Sequence, residues 1–257
     1  MRAIASYPIH DEGHGYDVFG LHADAVRRAV RWGRPLYRRY FRVESSGIEH
    51  VPSSGAAILV PNHSGTLPID GAMLWLDVVQ RTGRVLRPIA DRFVPRLPFV
   101  STVFARTGVV SGTHTNVRRL LEVGELIVIF PEGVSGPAKP FRERYQLQKW
   151  RVGHAELAIR HRAPIIPVAI IGAEESWPVL FRIRAFHAFG APYLPVPASL
   201  VPLPVQLHLH YGPPLELHRQ YPVEAADDPD ALAAAAAEVR AAVEALITRG
   251  LAARRGA

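Results

Sequence analysis

Three apolar runs narrow the fold most: Ala56–Val60, Leu126–Phe130 and Ile165–Ile171. None alternates with polar residues, and each is too short for a buried helix. Such runs belong to strands covered on both faces, as in parallel sheets with helices on either side. Each run ends abruptly, in Asn62-His63-Ser64-Gly65, in Pro131-Glu132-Gly133 and in Gly172-Ala173-Glu174-Glu175. Amphipathic stretches fill the intervals. Pro68–Gln80 reads as a helix opened by its proline, Thr113–Val123 as a helix stopped by Gly124, and Gln146–Arg162 as a third, with Leu147, Trp150, His154, Leu157, Ala158 and His161 at helical spacing. Arg84–Ala90 and Val109–Val110 add strands, and Asp91–Arg106 reads as a short helix with irregular ends. Val205–Tyr211 alternates like a strand, and Asp228-Pro229 starts an Ala-rich helix reaching about Leu251. The alternation predicts a single α/β domain with a mostly parallel central sheet flanked by helices.

Of the 257 residues, 48% are hydrophobic and 21% charged, the balance of a globular chain. Cysteine is absent, which excludes disulfides, thiolate nucleophiles and cysteine metal sites. His10 and His14 lie four apart without a third ligand, so no metal site is expected. The net charge of +7 favours an anionic partner, and only Lys139 and Lys149 among its cations are lysines. No nucleic-acid motif accompanies that charge, whereas a membrane surface fits two segments. Tyr16–Phe41 interleaves Arg27, Arg28, Arg31, Arg34, Arg38 and Arg39 with apolar and aromatic residues, and Pro35 is expected to break it into two helical pieces. Trp177–Pro204 is apolar and interrupted by six prolines, so it is neither one helix nor one central strand; it is a docking surface or a loop packed over the sheet. No run approaches the roughly 20 apolar residues of a membrane-spanning helix. Met1–Asp17 lacks the apolar core of a signal peptide. The expected location is cytoplasmic, peripheral on the inner membrane face. Residues 1–44 form the basic N-terminal segment, and residues 45–257 the main domain with its C-terminal helix.

His63 follows a strand, and Asp70 falls in the first turn of the next helix. A base and its orienting carboxylate would be placed this way. Seven positions along one continuous helix would separate their Cα atoms by about 10 Å. The pair therefore requires Ser64–Leu67 to turn His63 back over the helix N-terminus, a turn that Gly65 and Pro68 favour. Phe130-Pro131-Glu132-Gly133 reaches the same sheet edge, where ligands of open α/β sheets bind.

Together the two clusters resemble the glycerolipid acyltransferase family, which includes the 1-acyl-glycerol-3-phosphate acyltransferases. Asn62, His63 and Asp70 match its first motif; Phe130, Pro131, Glu132 and Gly133 match its third. Ile165-Ile166-Pro167-Val168-Ala169 is similar to the fourth, and Tyr211-Gly212-Pro213-Pro214-Leu215 is a weaker echo. The chain departs from the pattern twice. Two extra residues separate His63 from Asp70, a spacing that varies in the branch that resembles monoacylglycerol and diacylglycerol acyltransferases. Thr107–Gly112, where the second motif should end in a phosphate-holding arginine, contains none. Arg106, Arg142 and Arg144 are the candidate substitutes.

The resemblance implies O-acyl transfer from acyl-CoA or acyl carrier protein to a lysophospholipid or related glycerolipid, with no cofactor. His63 would be the base and Asp70 its partner. Asn62, Ser64, Gly65 and the Phe130–Gly133 segment would line the substrate site, with backbone donors near Ser64–Thr66 stabilising the oxyanion. A neutral acceptor, a thioester hydrolase and a non-catalytic lipid-binding relative are the alternatives.

Overall fold

The computed structural model describes residues 7, 9–11, 13–64, 68–91, 94, 99–133, 136, 139–183 and 194–256. In chain order its regular elements are α1 (Ala23–Pro35), β1 (Glu44–Ser46), β2 (Ala57–Pro61), α2 (Ile69–Thr82), β3 (Leu86–Ala90), α3 (Val100–Arg106), β4 (Val110–Ser111), α4 (His114–Glu122) and β5 (Leu126–Val128). They continue with α5 (Gly153–Arg160), β6 (Ile165–Ile171), α6 (Ala173–Ser176), β7 (Val179–Ile183), β8 (Leu194–Pro197), β9 (His208–Tyr211), α7 (Leu217–Gln220) and α8 (Pro229–Gly256).

Seven strands form one sheet in the order β1-β9-β6-β2-β5-β3-β4. The five from β6 to β4 run parallel, whereas β9 is antiparallel to β6 and β1 follows β9. The mostly parallel sheet expected from the apolar runs is therefore present. Its side chains alternate between two covered faces. Ala57, Leu59, Leu126, Val128, Ile166 and Val168 face α1 and α2 through Val26, Met73, Leu74 and Val78. Ile58, Val60, Ile127 and Ile165 face α4, α5 and α8 through Val117, Leu120, Ile159 and Val239. Both sides of the central strands β2, β5 and β6 are dry, so both positions of their two-residue period are apolar.

Several boundaries differ from the sequence reading. The third helix begins at Gly153 rather than Gln146. The preceding backbone is engaged elsewhere: Arg240 of α8 donates to the carbonyls of Leu147 and Gln148 at 3.1 and 3.0 Å, and the Gln148 N–H points at Glu132. β5 stops at Val128, and β9 starts at His208. Pro35 divides its stretch into two helical pieces as expected: α1 ends there and Leu36–Tyr40 follows as a π-helical turn, with the Phe41 N–H donating to the Leu36 carbonyl at 2.8 Å. The proline-rich stretch supplies the antiparallel hairpin β7–β8, outside the main sheet.

The N-terminal segment is fastened to the sheet by a fully buried arginine. Arg87 of β3 lies 2.7 Å from Asp17 and 3.1 Å from Glu125, and its Nε donates to the Gly108 carbonyl at 3.0 Å. A charge in the interior persists only when matched in this way.

Candidate active site

β2 delivers His63 to the carboxyl edge of the sheet, and Asn62 fixes the exit. Its side-chain amide accepts from the Ile170 N–H at 2.7 Å and donates to the Ile170 carbonyl at 3.0 Å, replacing one rung between β2 and β6. Asn62 is wholly buried, so its polar atoms hold the strand rather than open onto a ligand.

His63 and Asp70 come together as the pair requires. His63 Nδ1 lies 2.7 Å from Asp70 Oδ2. Asp70 is the second residue of α2 and fully buried, at the helix end that favours an anion. Its carboxylate also accepts from the N–H groups of Ser64 at 2.8 Å and Gly71 at 2.7 Å. An ionised carboxylate only accepts, so the neutral imidazole carries its proton on Nδ1 and leaves Nε2 as the basic atom. The Phe130 ring packs 4.1 Å from the imidazole centroid, tilted by 33°, and the His63 side chain keeps 14% exposure. It is thus both oriented and reachable.

Glu132 approaches from the other side. Its Oε1 accepts the His63 backbone N–H at 3.0 Å, and its Oε2 accepts the Gln148 N–H at 2.9 Å. Pro131 is buried, and its carbonyl accepts from the Arg151 N–H at 3.1 Å. Gly133 adopts a left-handed backbone, φ +53°, and a Cβ there would sit 3.7 Å from the Arg151 guanidinium. Gly136 lies closer still: a Cβ would stand 2.7 Å from the Cβ of His63 and 2.9 Å from its carbonyl oxygen, so glycine is required for this approach to the His63 backbone.

The expected donors and cations fare differently. The Ser64 N–H is spent on Asp70, so it is not aimed at an oxyanion, while the buried Ser64 hydroxyl has no hydrogen-bond partner. Gly65, with Thr66 and Leu67, lies outside the described residues. Arg106 stacks 3.9 Å over Tyr16 and donates to the Gly20 carbonyl at 3.3 Å. Arg142 pairs with its neighbour Glu143 at 3.5 Å, and Arg144 sits 4.7 Å from the Phe141 ring centroid. Arg151, Gly136, Gln148 and Lys139, which border the His63–Glu132 cluster, escaped the sequence reading. The rarity of lysine in this chain was the one available signal for Lys139.

Beyond β3 and β4, at the same sheet edge, a groove of about 510 Å³ opens. Phe19, Ala90, Phe104, Ala105, Val110 and Ser111 are among the residues lining it.

These features have counterparts in known proteins. The "Acyltransferase" family model matches residues 42–171, which contain both motif clusters. An uncharacterized protein of Mycobacterium tuberculosis is 38% identical over 258 residues, covering 94% of this chain and 71% of its own. The chain belongs to the acyltransferase family. The human "DGAT1/2-independent enzyme synthesizing storage lipids" is 30% identical over 187 residues, covering 70% of this acyltransferase and 56% of the human protein. The fold is also that of the 1-acyl-sn-glycerophosphate acyltransferase PlsC from Thermotoga maritima, with a TM-score of 0.56 at 18% identity over 86% of this chain and 79% of PlsC. The protein is accordingly an O-acyltransferase of lipid metabolism, with His63, Asp70 and Glu132 brought together at the expected edge of the sheet.

Proposed function

We propose that this acyltransferase moves a fatty acyl group from acyl-CoA or acyl carrier protein directly to a hydroxyl of a lysophospholipid or related glycerolipid. The carrying observation is the 2.7 Å His63–Asp70 pair with the imidazole partly exposed. His63 Nε2 takes the acceptor O–H proton as that oxygen attacks the thioester carbonyl. The tetrahedral adduct collapses, the C–S bond breaks, and the same proton passes to the leaving thiolate. Ester and free thiol result. Asp70 steadies the imidazolium between the two steps. The apolar lining of the groove beyond β3 and β4 suits an acyl chain.

A membrane surface supplies such substrates, and one exposed face suits it. Trp32 is 78% exposed on the arginine-rich α1, and Leu200 is 97% exposed after β8, beside Val201 and Leu203. The two patches are joined: Tyr40 Oη donates to the Pro202 carbonyl at 2.5 Å, and Arg42 donates to that of Pro204 at 2.7 Å. Apolar side chains among guanidinium groups match an anionic bilayer interface. Trp32→Glu with Leu200→Glu should abolish flotation with anionic vesicles at low salt; unchanged flotation rejects this face.

A neutral acceptor is the second reading. It is favoured by Ser111, rather than a cation, at the end of β4 and by the engagement of Arg106 with Tyr16 and Gly20. The storage-lipid name of the human relative points the same way. Thiol release from acyl-CoA, measured against a panel of phosphorylated and neutral acceptors, decides between the readings. Thiol release without any added alcohol identifies a hydrolase instead. Retained transfer by folded His63→Ala overturns the mechanism for either acceptor.

A further inference from the structure

Lysine is rarely buried without a partner, and Lys139 is 6% exposed in a chain with only two lysines. Its ammonium lies 2.7 Å from Glu174 Oε1, donates to the Gln146 carbonyl at 2.9 Å, and stands 3.8 Å from Glu132 Oε2. Glu132 is the residue whose carboxylate joins the His63 and Gln148 backbones. From the geometry we infer that Lys139 is a positioning residue: paired with Glu174, it holds the Glu132 carboxylate in place, and so fixes His63. This inference rests on His63 acting as the base.

Two independent links lead from Lys139 to His63. The first is electrostatic. Glu132 and Glu174 are both buried, and Lys139 is the cation between them. Burial pushes the Glu174 carboxyl up, Lys139 pulls it back down, and the Glu132 charge raises it again. Removing Lys139 leaves two buried carboxylates with no cation between them, so one takes a proton or moves toward water. A Glu132 carboxylate that moves away withdraws the charge-assisted acceptor of the His63 N–H. The second link is steric. The Lys139 N–H donates to the Gly136 carbonyl at 3.1 Å, and the Gly136 N–H to the Gly133 carbonyl at 3.3 Å. Lys139 is thereby tied through its backbone to Gly136, which packs against the Cβ and carbonyl oxygen of His63.

The side chain does not touch the imidazole, so its removal should alter turnover rather than substrate affinity. In the full chain, Lys139→Met should lower kcat about 10- to 100-fold with KM for acyl-CoA and acceptor unchanged, the scale of a small misplacement of the base. Lys139→Arg should recover most of that loss, and Glu174→Gln should stay within about 3-fold of wild type because Lys139 then has Glu132 to itself. Lys139→Met strands two carboxylates and is prone to misfolding. Lys139→Met combined with Glu174→Met relieves that burden while still depriving Glu132 of its cation, and the same fall in kcat is expected. A folded single or double variant with wild-type kcat, or a loss confined to KM, overturns the inference. Retained transfer by His63→Ala would instead remove the base on which it rests, so the two failures read differently.

Discussion

Helix α2 carries two wholly buried carboxylates, Asp70 and Asp77, seven residues apart. Asp70 faces an imidazole, two backbone N–H groups and the mouth of the site. Asp77 accepts from three hydroxyls, Tyr37 at 2.5 Å, Ser45 at 3.0 Å and Tyr211 at 2.8 Å. Burial first, and the Asp77 charge second, push both phenols up, so they hold their protons across the neutral range. The same side chain at the same burial thus serves two ends. Beside a reachable imidazole it fixes the orientation of the ring. Among hydroxyls that never titrate it fastens the turn after α1, β1 and β9 to α2. Burial alone does not mark a functional carboxylate; the partner does.

The sharpest separation should come from one change at each carboxylate. Asp70→Asn should cost about 10²- to 10⁴-fold in kcat, because an amide no longer dictates the Nδ1–H tautomer. Its melting temperature should stay near that of the wild type, as read by circular dichroism. Asp77→Ala should do the reverse, lowering unfolding free energy by about 3–4 kcal/mol through three stranded hydroxyls while turnover per folded molecule is kept. Denaturant titration and active-site-normalised assay check it; a fall in kcat matching that of Asp70→Asn would erase the distinction.

The contrast extends to imidazoles. His154 is as buried as Asp77 but has no carboxylate, only the Arg151 carbonyl at 3.0 Å. Burial pushes it down from 6.5 to about 4, the carbonyl bond opposing. A depressed folded value means the folded state binds its proton more weakly than the unfolded chain. The stability it contributes is therefore full above pH 6.5 and is lost as pH falls toward 4, by about 3 kcal/mol. His154→Gln should flatten that slope in stability measured from pH 7 to 4; an unchanged slope rejects the assignment. The smallest effect expected is that of Tyr37→Phe, about 1 kcal/mol for one hydrogen bond among three on Asp77. Calorimetry resolves it; a loss that vanishes when Asp77 is already alanine shows that the bond carries the effect, and an equal loss rejects it.

Much of this was legible beforehand, for identifiable reasons. The apolar runs at β2, β5 and β6 signalled strands because both faces of a parallel sheet are dry. His63, Asp70 and Glu132 stood out because polar residues at strand ends are where such sheets place chemistry. The start of α5 was misplaced because Trp150 and Leu147 fit a helical period, yet tertiary bonds from Arg240 and Glu132 claimed that backbone. Asp77 drew no notice: its three partners come from residues 37, 45 and 211, distances along the chain that no local pattern spans. Tyr211, a faint echo of the family when read alone, became one of those fastenings.

What the chain determined by itself was the alternation of strands and helices and the candidate site residues His63, Asp70 and Glu132, since both follow from short-range patterning and residue chemistry. Only the tertiary structure decided that seven residues could close to a 2.7 Å contact, that Asn62 holds the strand, and that Lys139 sits between Glu132 and Glu174. Those depend on how separate segments meet in the interior, where an unmatched charge is costly and each buried polar atom takes the partner that folding brings to it.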